Sequence, residues 1–157
     1  MMVELNVQLA EELPLPTIGM RNVLVVDDVA VMRTILSRVL KDRQVDSAQA
    51  SDGSEAFDLL SKQSFDAVIT DIEMPNWTGF DLVDAMRRSK DQRIATMPVI
   101  VTSTLADKSI ARKARRYVGV YFLPKPISVS RLSVTLKMIA TSRWLHERFS
   151  DGRQISF

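Results

Sequence analysis

Phe65-Asp66-Ala67-Val68-Ile69-Thr70-Asp71-Ile72-Glu73-Met74-Pro75-Asn76-Trp77-Thr78-Gly79 is the stretch that decides how this chain folds. Ala67–Thr70 is a short, apolar, β-rich run, and Pro75 and Gly79 close it downstream. That length and those flanks predict a buried parallel strand. The run ends on one acid, Asp71. Open parallel sheets carry their ligand-binding and catalytic groups at the carboxyl ends of strands, which makes Asp71 the first candidate residue.

The neighbouring segments repeat the theme. Val23–Val26 reads as a buried strand ending on Asp27-Asp28, and Val31–Lys41 carries Met32, Ile35, Leu36, Val39 and Leu40 at helical spacing. Val45–Ala50 is a weaker strand. Asp52, with Glu55 three residues later, predicts a helix start whose apolar face holds Ala56, Leu59 and Leu60. Thr78 or Gly79 opens a helix with Phe80, Leu82, Val83 and Met86 on its core side. Pro98 starts the strand Val99–Thr102, which ends at Ser103. A basic helix over Leu105–Val118 leads to the short strand Tyr121–Leu123, closed by Pro124-Lys125-Pro126. Ser128 caps a last helix running to about Phe149.

Five strands alternating with five helices predict an α/β fold, a doubly wound parallel sheet with helices on both faces. Residues 1–20 read as an extension outside that unit, residues 21–149 as the domain, and residues 150–157 as a tail. In the extension Val3, Leu5, Val7 and Leu9 alternate with polar residues before Pro14 and Pro16. It reads as a mobile tail or as an added strand contacting another subunit.

The 157 residues suit one domain with a sizeable core, and 46% hydrophobic with 25% charged residues match a globular chain. Cysteine is absent, which excludes disulfides and thiolate metal sites. No apolar run reaches the ~18 residues of a membrane span, and the amino terminus lacks the features of a secretory signal. A cytoplasmic protein is the expectation. Charge is uneven: residues 1–100 hold 10 Lys/Arg against 16 Asp/Glu, residues 101–157 hold 11 against 3. Such asymmetry bears on partners rather than on fold.

Asp27, Asp28, Asp71, Ser103 and Lys125 all fall at or just after predicted strand ends, which converge on one crevice in a parallel sheet. Three carboxylates crowded together repel unless a cation relieves them. Lys125 supplies one charge, and an oxygen-only donor set with few carboxylates suits Mg²⁺. A carboxylate beside such a metal can act as a nucleophile and form an aspartyl phosphate. Ser103 and Lys125 would then hydrogen-bond and charge-pair the phosphoryl oxygens.

The same residues carry a resemblance. Val-Leu-Val-Val-Asp-Asp-Val-Ala-Val-Met-Arg, Thr-Asp-Ile-Glu-Met-Pro-Asn-Trp-Thr-Gly and Leu-Pro-Lys-Pro-Ile resemble the receiver domain of bacterial response regulators, most of all its stand-alone chemotaxis type, over about residues 21–140. The resemblance implies a flavodoxin-like sheet of order 2-1-3-4-5, and that order comes from the family rather than from the spacing. It implies that Asp71 is phosphorylated by a histidine kinase or phosphotransfer protein, in a two-component phosphorelay switch rather than an enzyme. It implies Mg²⁺ held by Asp28, Asp71 and the main-chain carbonyl of Glu73, with Asp27 assisting through water. Ser103 and Lys125 would grip the phosphoryl group, and Phe122 would swing inward on activation. The surface that changes would be the fourth predicted helix, fifth strand and fifth predicted helix, which is the basic side of this chain and would meet a downstream protein.

Two departures from the family stand out. Thr104 occupies a position that usually holds a very small residue, and Glu73 adds a negative charge two residues after the acceptor. Both predict a tuned rate of dephosphorylation, with no direction given. Two rival readings use the same residues. Asp71-Ile72-Glu73 superficially resembles the paired acids of haloacid-dehalogenase phosphohydrolases, although that family places its nucleophile on an early strand and wants Asp as the second acid. The basic helix, with Lys108, Arg112, Lys113, Arg115 and Arg116, suits nucleic acid or an acidic protein, or is a solvated face. Trp77 either packs over the site or stays exposed beside it. His146 is explained by a helix end. Trp144, Leu145 and Phe149 extend the last helix with apolar groups that fold back on the domain or meet another subunit, a dimer being one reading.

Overall fold

The structure is a computed structural model, and it describes residues 20–104 and 108–150. Residues 1–19, 105–107 and 151–157 lie outside the described residues. The N-terminal strand reading, the first turn of the basic helix and the C-terminal tail fall there.

Five strands form one parallel sheet: β1 (Asn22–Val26), β2 (Asp46–Ala50), β3 (Ala67–Asp71), β4 (Val99–Ser103) and β5 (Val120–Pro124), in the order β2-β1-β3-β4-β5. This is the flavodoxin-like order the resemblance implies. Central strands β3 and β4 are buried at all five positions, as expected where helices cover both faces. The register sets Val26 beside Ala50 and Thr70, and Asp71 beside Thr102. The strand ends carrying candidate residues are thereby level with one another.

Six helices occur among the described residues: α1 (Ala30–Lys41), α2 (Gly53–Lys62), α3 (Gly79–Arg87), α4 (Gln92–Ala95), α5 (Lys108–Arg115) and α6 (Val129–Ser150). Four residues make α4 the one helix beyond the five expected. It is a single turn too short for periodicity to reveal, opened by the Asp91 side chain on the Arg93 N–H. The starts of α2 and α3 also obey local chemistry. Asp52 accepts from the Glu55 N–H at 2.8 Å while Glu55 reaches back to the Ser51 N–H and hydroxyl. Thr78 and Asp81 form a reciprocal capping box on α3.

The core is two layers. One face of the sheet packs Leu24, Val26, Val68, Val99 and Val101 against Ala56 and Leu60 of α2, Leu82, Val83 and Met86 of α3, and Ala114 of α5. The opposite face packs Val23, Val25, Ile69 and Ile100 against Leu36 and Leu40 of α1 and Leu132, Leu136 and Ile139 of α6. Alternation along each strand divides its residues between the layers. No helix among the described residues is long and apolar enough to cross a membrane.

A candidate phosphoacceptor site at the strand ends

The site begins with β3. Asp71 is its last residue, and its carboxylate is buried although it belongs to a titrating side chain. The Ile72 N–H donates to Thr102 O at 2.9 Å, extending the sheet one residue past the acid. Gly79 then brings α3 back against the strand. A Cβ there would stand 2.3 Å from Asp71 O and 3.0 Å from Ile72 Cα, so only glycine permits this approach. Its own N–H donates to Ile72 O at 3.1 Å. The turn between them uses Asn76 at φ 68°, a left-handed conformation asparagine tolerates better than most residues.

β1 contributes the second and third carboxylates. Asp27 is fully buried; its Oδ1 accepts the Val29 N–H at 2.9 Å and its Oδ2 faces the Lys125 ammonium at 3.1 Å. It is therefore a turn-capping residue and an ion-pair partner at once. Asp28, next in the chain, is exposed. Oxygens of Asp27, Asp28 and Asp71 lie within 4.8 Å of one another. Lys125 arrives from the loop after β5, held by its N–H on Ser103 O at 2.8 Å, and its Nζ is 3.3 Å from Asp71 Oδ1. The ammonium is thus shared by the two buried acids.

One cation against three acids leaves the balance unfavourable to ionisation. Burial first, then the hydrogen bond with Glu73 and the nearby Asp27, push the Asp71 carboxyl up to about 6, against the opposing pull of Lys125. Burial lowers the Lys125 pKa, yet the hydrogen bonds and charges of Asp27 and Asp71 outweigh it and the net shift is upward. Asp71 Oδ1 is buried, and the Lys125 ammonium 3.3 Å away is the one partner found for it among the described residues. One shared ammonium against three converging acids leaves a demand for further positive charge. An all-oxygen donor set of this kind fits a hard divalent cation such as Mg²⁺.

β4 supplies the hydroxyl. Thr102 turns into the sheet and donates to Thr70 O at 3.4 Å, whereas the Ser103 hydroxyl donates to Glu73 Oε1. Strand alternation thus turns Ser103 toward the site and Thr102 away from it. Burial pushes the Glu73 carboxyl up, but hydrogen bonds with Ser103 and Asp71 prevail and lower it. The Glu73 side chain therefore sits between the acceptor and the hydroxyl, a contact that spacing alone does not reveal. Thr104 follows, exposed. Phe122 lies two residues before Pro124, the partner of Ser103 across β4 and β5, and is half-buried against the layer that holds Val101.

The remaining candidates separate from this cluster. Trp77 is half-buried, its Cβ and ring lying against Gly53 where α2 begins. Lys108, Arg112, Lys113, Arg115 and Arg116 are all exposed on or just after α5. Lys113 also lies 4.5 Å over the Phe80 ring, and Phe80 stacks on Tyr117 at 6.1 Å. His146 is exposed on α6. Two connecting residues escaped sequence reasoning. The Tyr117 hydroxyl donates to Asp84 Oδ1 at 2.6 Å, tying the end of α5 to α3. Arg87 reaches the Ala95, Met97 and Val118 carbonyls. Both depend on partners brought near only by folding.

A parallel sheet of this order, ending in clustered acids and a lysine, defines a class. Residues 23–137 match the family described as response regulator receiver domain, and the chain belongs to it. Among its relatives, the chemotaxis protein CheY of Pseudomonas aeruginosa is 34% identical over 119 residues, 74% of this chain and 94% of that protein. The response regulator receiver protein Anae109_2439 of Anaeromyxobacter is 38% identical over 113 residues, 72% of this chain but 46% of that longer protein. Among solved structures, a response regulator receiver protein from Pseudomonas putida superposes with a TM-score of 0.70 at 33% identity, covering 76% of this chain and 98% of that one. The chemotaxis response regulator CheY4 of Vibrio cholerae gives a TM-score of 0.68 at 30% identity, covering 77% and 99%.

Proposed function

We propose that Asp71 accepts a phosphoryl group from a histidine kinase or phosphotransfer protein, and that the resulting charge switches a protein-binding surface. The observation that carries this reading is the sharing of the Lys125 ammonium by Asp27 and Asp71, 3.1 and 3.3 Å away, where Asp28 brings a third carboxylate within 4.8 Å.

A carboxylate oxygen of Asp71 attacks the phosphorus of a phosphorylated imidazole; an oxygen–phosphorus bond forms, the nitrogen–phosphorus bond breaks, and the imidazole nitrogen leaves with its electron pair and takes a proton. Asp28 and Asp71, with the main-chain carbonyl of Glu73, would hold Mg²⁺, and Asp27 would assist through water. The metal supplies charge neutralisation on the phosphoryl oxygens when bound. Lys125 counters the negative charge that builds as donor and acceptor meet, and orients the Asp71 oxygen. Ser103 exchanges its bond to Glu73 for one to a phosphoryl oxygen. The half-buried Phe122 takes up the space this movement vacates. Phosphorylation adds about −1.5 to −2 charge with strong acceptors, enough to bias two arrangements differing by a few kcal/mol.

The working unit is residues 21–149, with residues 1–20 and 150–157 as flanking segments. Its output face is α5, β5 and α6, where the exposed basic residues favour an acidic protein partner over nucleic acid. The domain acts as a stoichiometric switch rather than by turning over a phosphate ester. Incubation with a small phosphodonor and Mg²⁺ is expected to place one alkali-labile phosphate per chain, and Asp71→Asn to abolish it. Catalytic turnover of phosphate esters, or labelling that survives Asp71→Asn, overturns the reading. Thr104→Ala is expected to change the decay rate of the phosphorylated form; an unchanged rate removes Thr104 from the account.

A further inference from the structure

Helix α6 is apolar on two sides. Leu132, Leu136, Ile139 and Ala140 are buried against the sheet. On another side Val134 and Met138 are 56% and 55% exposed, and Leu145 and Phe149 are 41% and 51% exposed. At 3.6 residues per turn these four fall within an arc of about 60°, forming a stripe roughly 22 Å long. A helix with one packed face ordinarily turns a polar face to water, and two aligned pairs of exposed large apolar side chains, with Thr141 and Ser142 between them, mark a contact. The exposed Arg131 and Lys137 flank it.

Two facts identify the occupant. The first is where the chain enters the described structure. Met20 is buried, and the N–H groups of Arg21 and Asn22 donate to Asp66 Oδ2 at 2.6 and 3.0 Å. The other oxygen of Asp66 pairs with Arg143 of α6 at 2.6 Å. The described chain therefore begins, at Met20, beside the distal half of this helix, on the sheet-facing side that carries Arg143 and about 150° around the axis from the stripe, so residues 1–19 would have to round the helix to reach it. Nineteen residues span up to about 60 Å when extended, well beyond the stripe's length. The second fact is chemical. That segment alternates Val3, Leu5, Val7 and Leu9 with polar residues, contains Glu4, Glu11 and Glu12, and has no Lys or Arg. Apolar groups with acids match an apolar stripe with basic flanks.

A second copy of the chain fits less well. A face about 22 Å by 10 Å buries of order 500 Å² over both partners, below the ~1,200 Å² of a stable interface. Two-fold pairing would also set basic flanks against each other. A tethered segment needs far less affinity, because its effective concentration is about millimolar. We propose that residues 1–19 dock along the Val134–Met138–Leu145–Phe149 stripe of their own α6 and cover it.

The chain has no cysteine, so a single introduced thiol reports the stripe directly. Met138→Cys and, as an off-stripe control, the exposed Lys90→Cys would be labelled with a thiol reagent in the full-length chain. The comparison adds Leu5→Asp with Leu9→Asp, circular dichroism confirming the same fold. With a segment affinity of about 0.1 mM, the double substitution should speed labelling at position 138 roughly tenfold and leave position 90 unchanged. Equal rates at position 138 overturn the proposal. So does protection that rises with protein concentration alongside a dimer in sedimentation, which would make a second copy the occupant.

Discussion

Asp71 shows how a single side chain is set against its surroundings. Burial and neighbouring acids raise its folded pKa from 3.8 to about 6 in the metal-free protein. A raised carboxyl contributes stability that is fully present below its unfolded pKa and is lost as pH climbs through the folded value. Asp71→Asn should therefore stabilise the metal-free protein by roughly 1–3 kcal/mol at pH 8, with an advantage that grows between about pH 4 and pH 6 and then levels off. Denaturant titration across that range, with chelator present, measures it; a difference that is flat with pH would contradict the assignment. Glu73 adds a second local expectation. Its carboxylate faces Ser103 where an anionic donor must approach, and a charge at such range is worth a kcal/mol or more. Glu73→Gln should speed phosphorylation by a small anionic phosphodonor about fivefold, read from the time course of labelling.

Helix α5 is held to the rest of the fold by few contacts for its charge. Ala114 is its one buried residue among those described, and the Tyr117–Asp84 hydrogen bond and the Phe80 stack follow just beyond its end. Loss of the hydroxyl in Tyr117→Phe should cost about 1 kcal/mol and loosen α5 before the sheet, visible as faster amide exchange confined to that helix. The bond to Asp84, then burial, push the phenol up to about 12. Stability from this group is present below the unfolded value of 10 and is lost as pH rises through about 12. Tyr117→Phe should accordingly lose less stability than the parent chain between about pH 10 and pH 12.

Asp66 is the junction that makes the sheet and its last helix one body. It receives the first two N–H groups at β1 and the Arg143 guanidinium, 77 residues away in sequence. Asp66→Ala should free the entry of β1 and the distal turns of α6 together, raising amide exchange at residues 21–22 and 140–150 while β3 and β4 stay protected. Exchange limited to one of the two segments would show that they are not coupled through this carboxylate. The charge asymmetry belongs to the same level of organisation. Acids gather at the strand ends while cations gather on α5 and α6, so the candidate site and the proposed output face carry opposite signs.

Much of this was legible in the chain itself. Local rules mark the β3 run and its terminal acid, the Asp52 and Thr78 helix starts, and the alternation that forces a parallel sheet, because each depends on residues within a few positions of one another. Strand-end convergence likewise points to Asp27, Asp28, Asp71 and Lys125, while the choice of Ser103 over the adjacent Thr102 rests on the family resemblance until the fold turns Ser103 toward the site. Folding alone decided the rest. Which carboxylates share the lysine, that Glu73 intercepts the Ser103 hydroxyl, and that Asp66 joins both ends of the fold are contacts across tens of residues, and that Gly79 must be bare against Asp71 depends on how closely α3 packs back on β3. Sequence patterns encode periodicity along one element, whereas these pairings depend on the distances between elements, and only packing sets those.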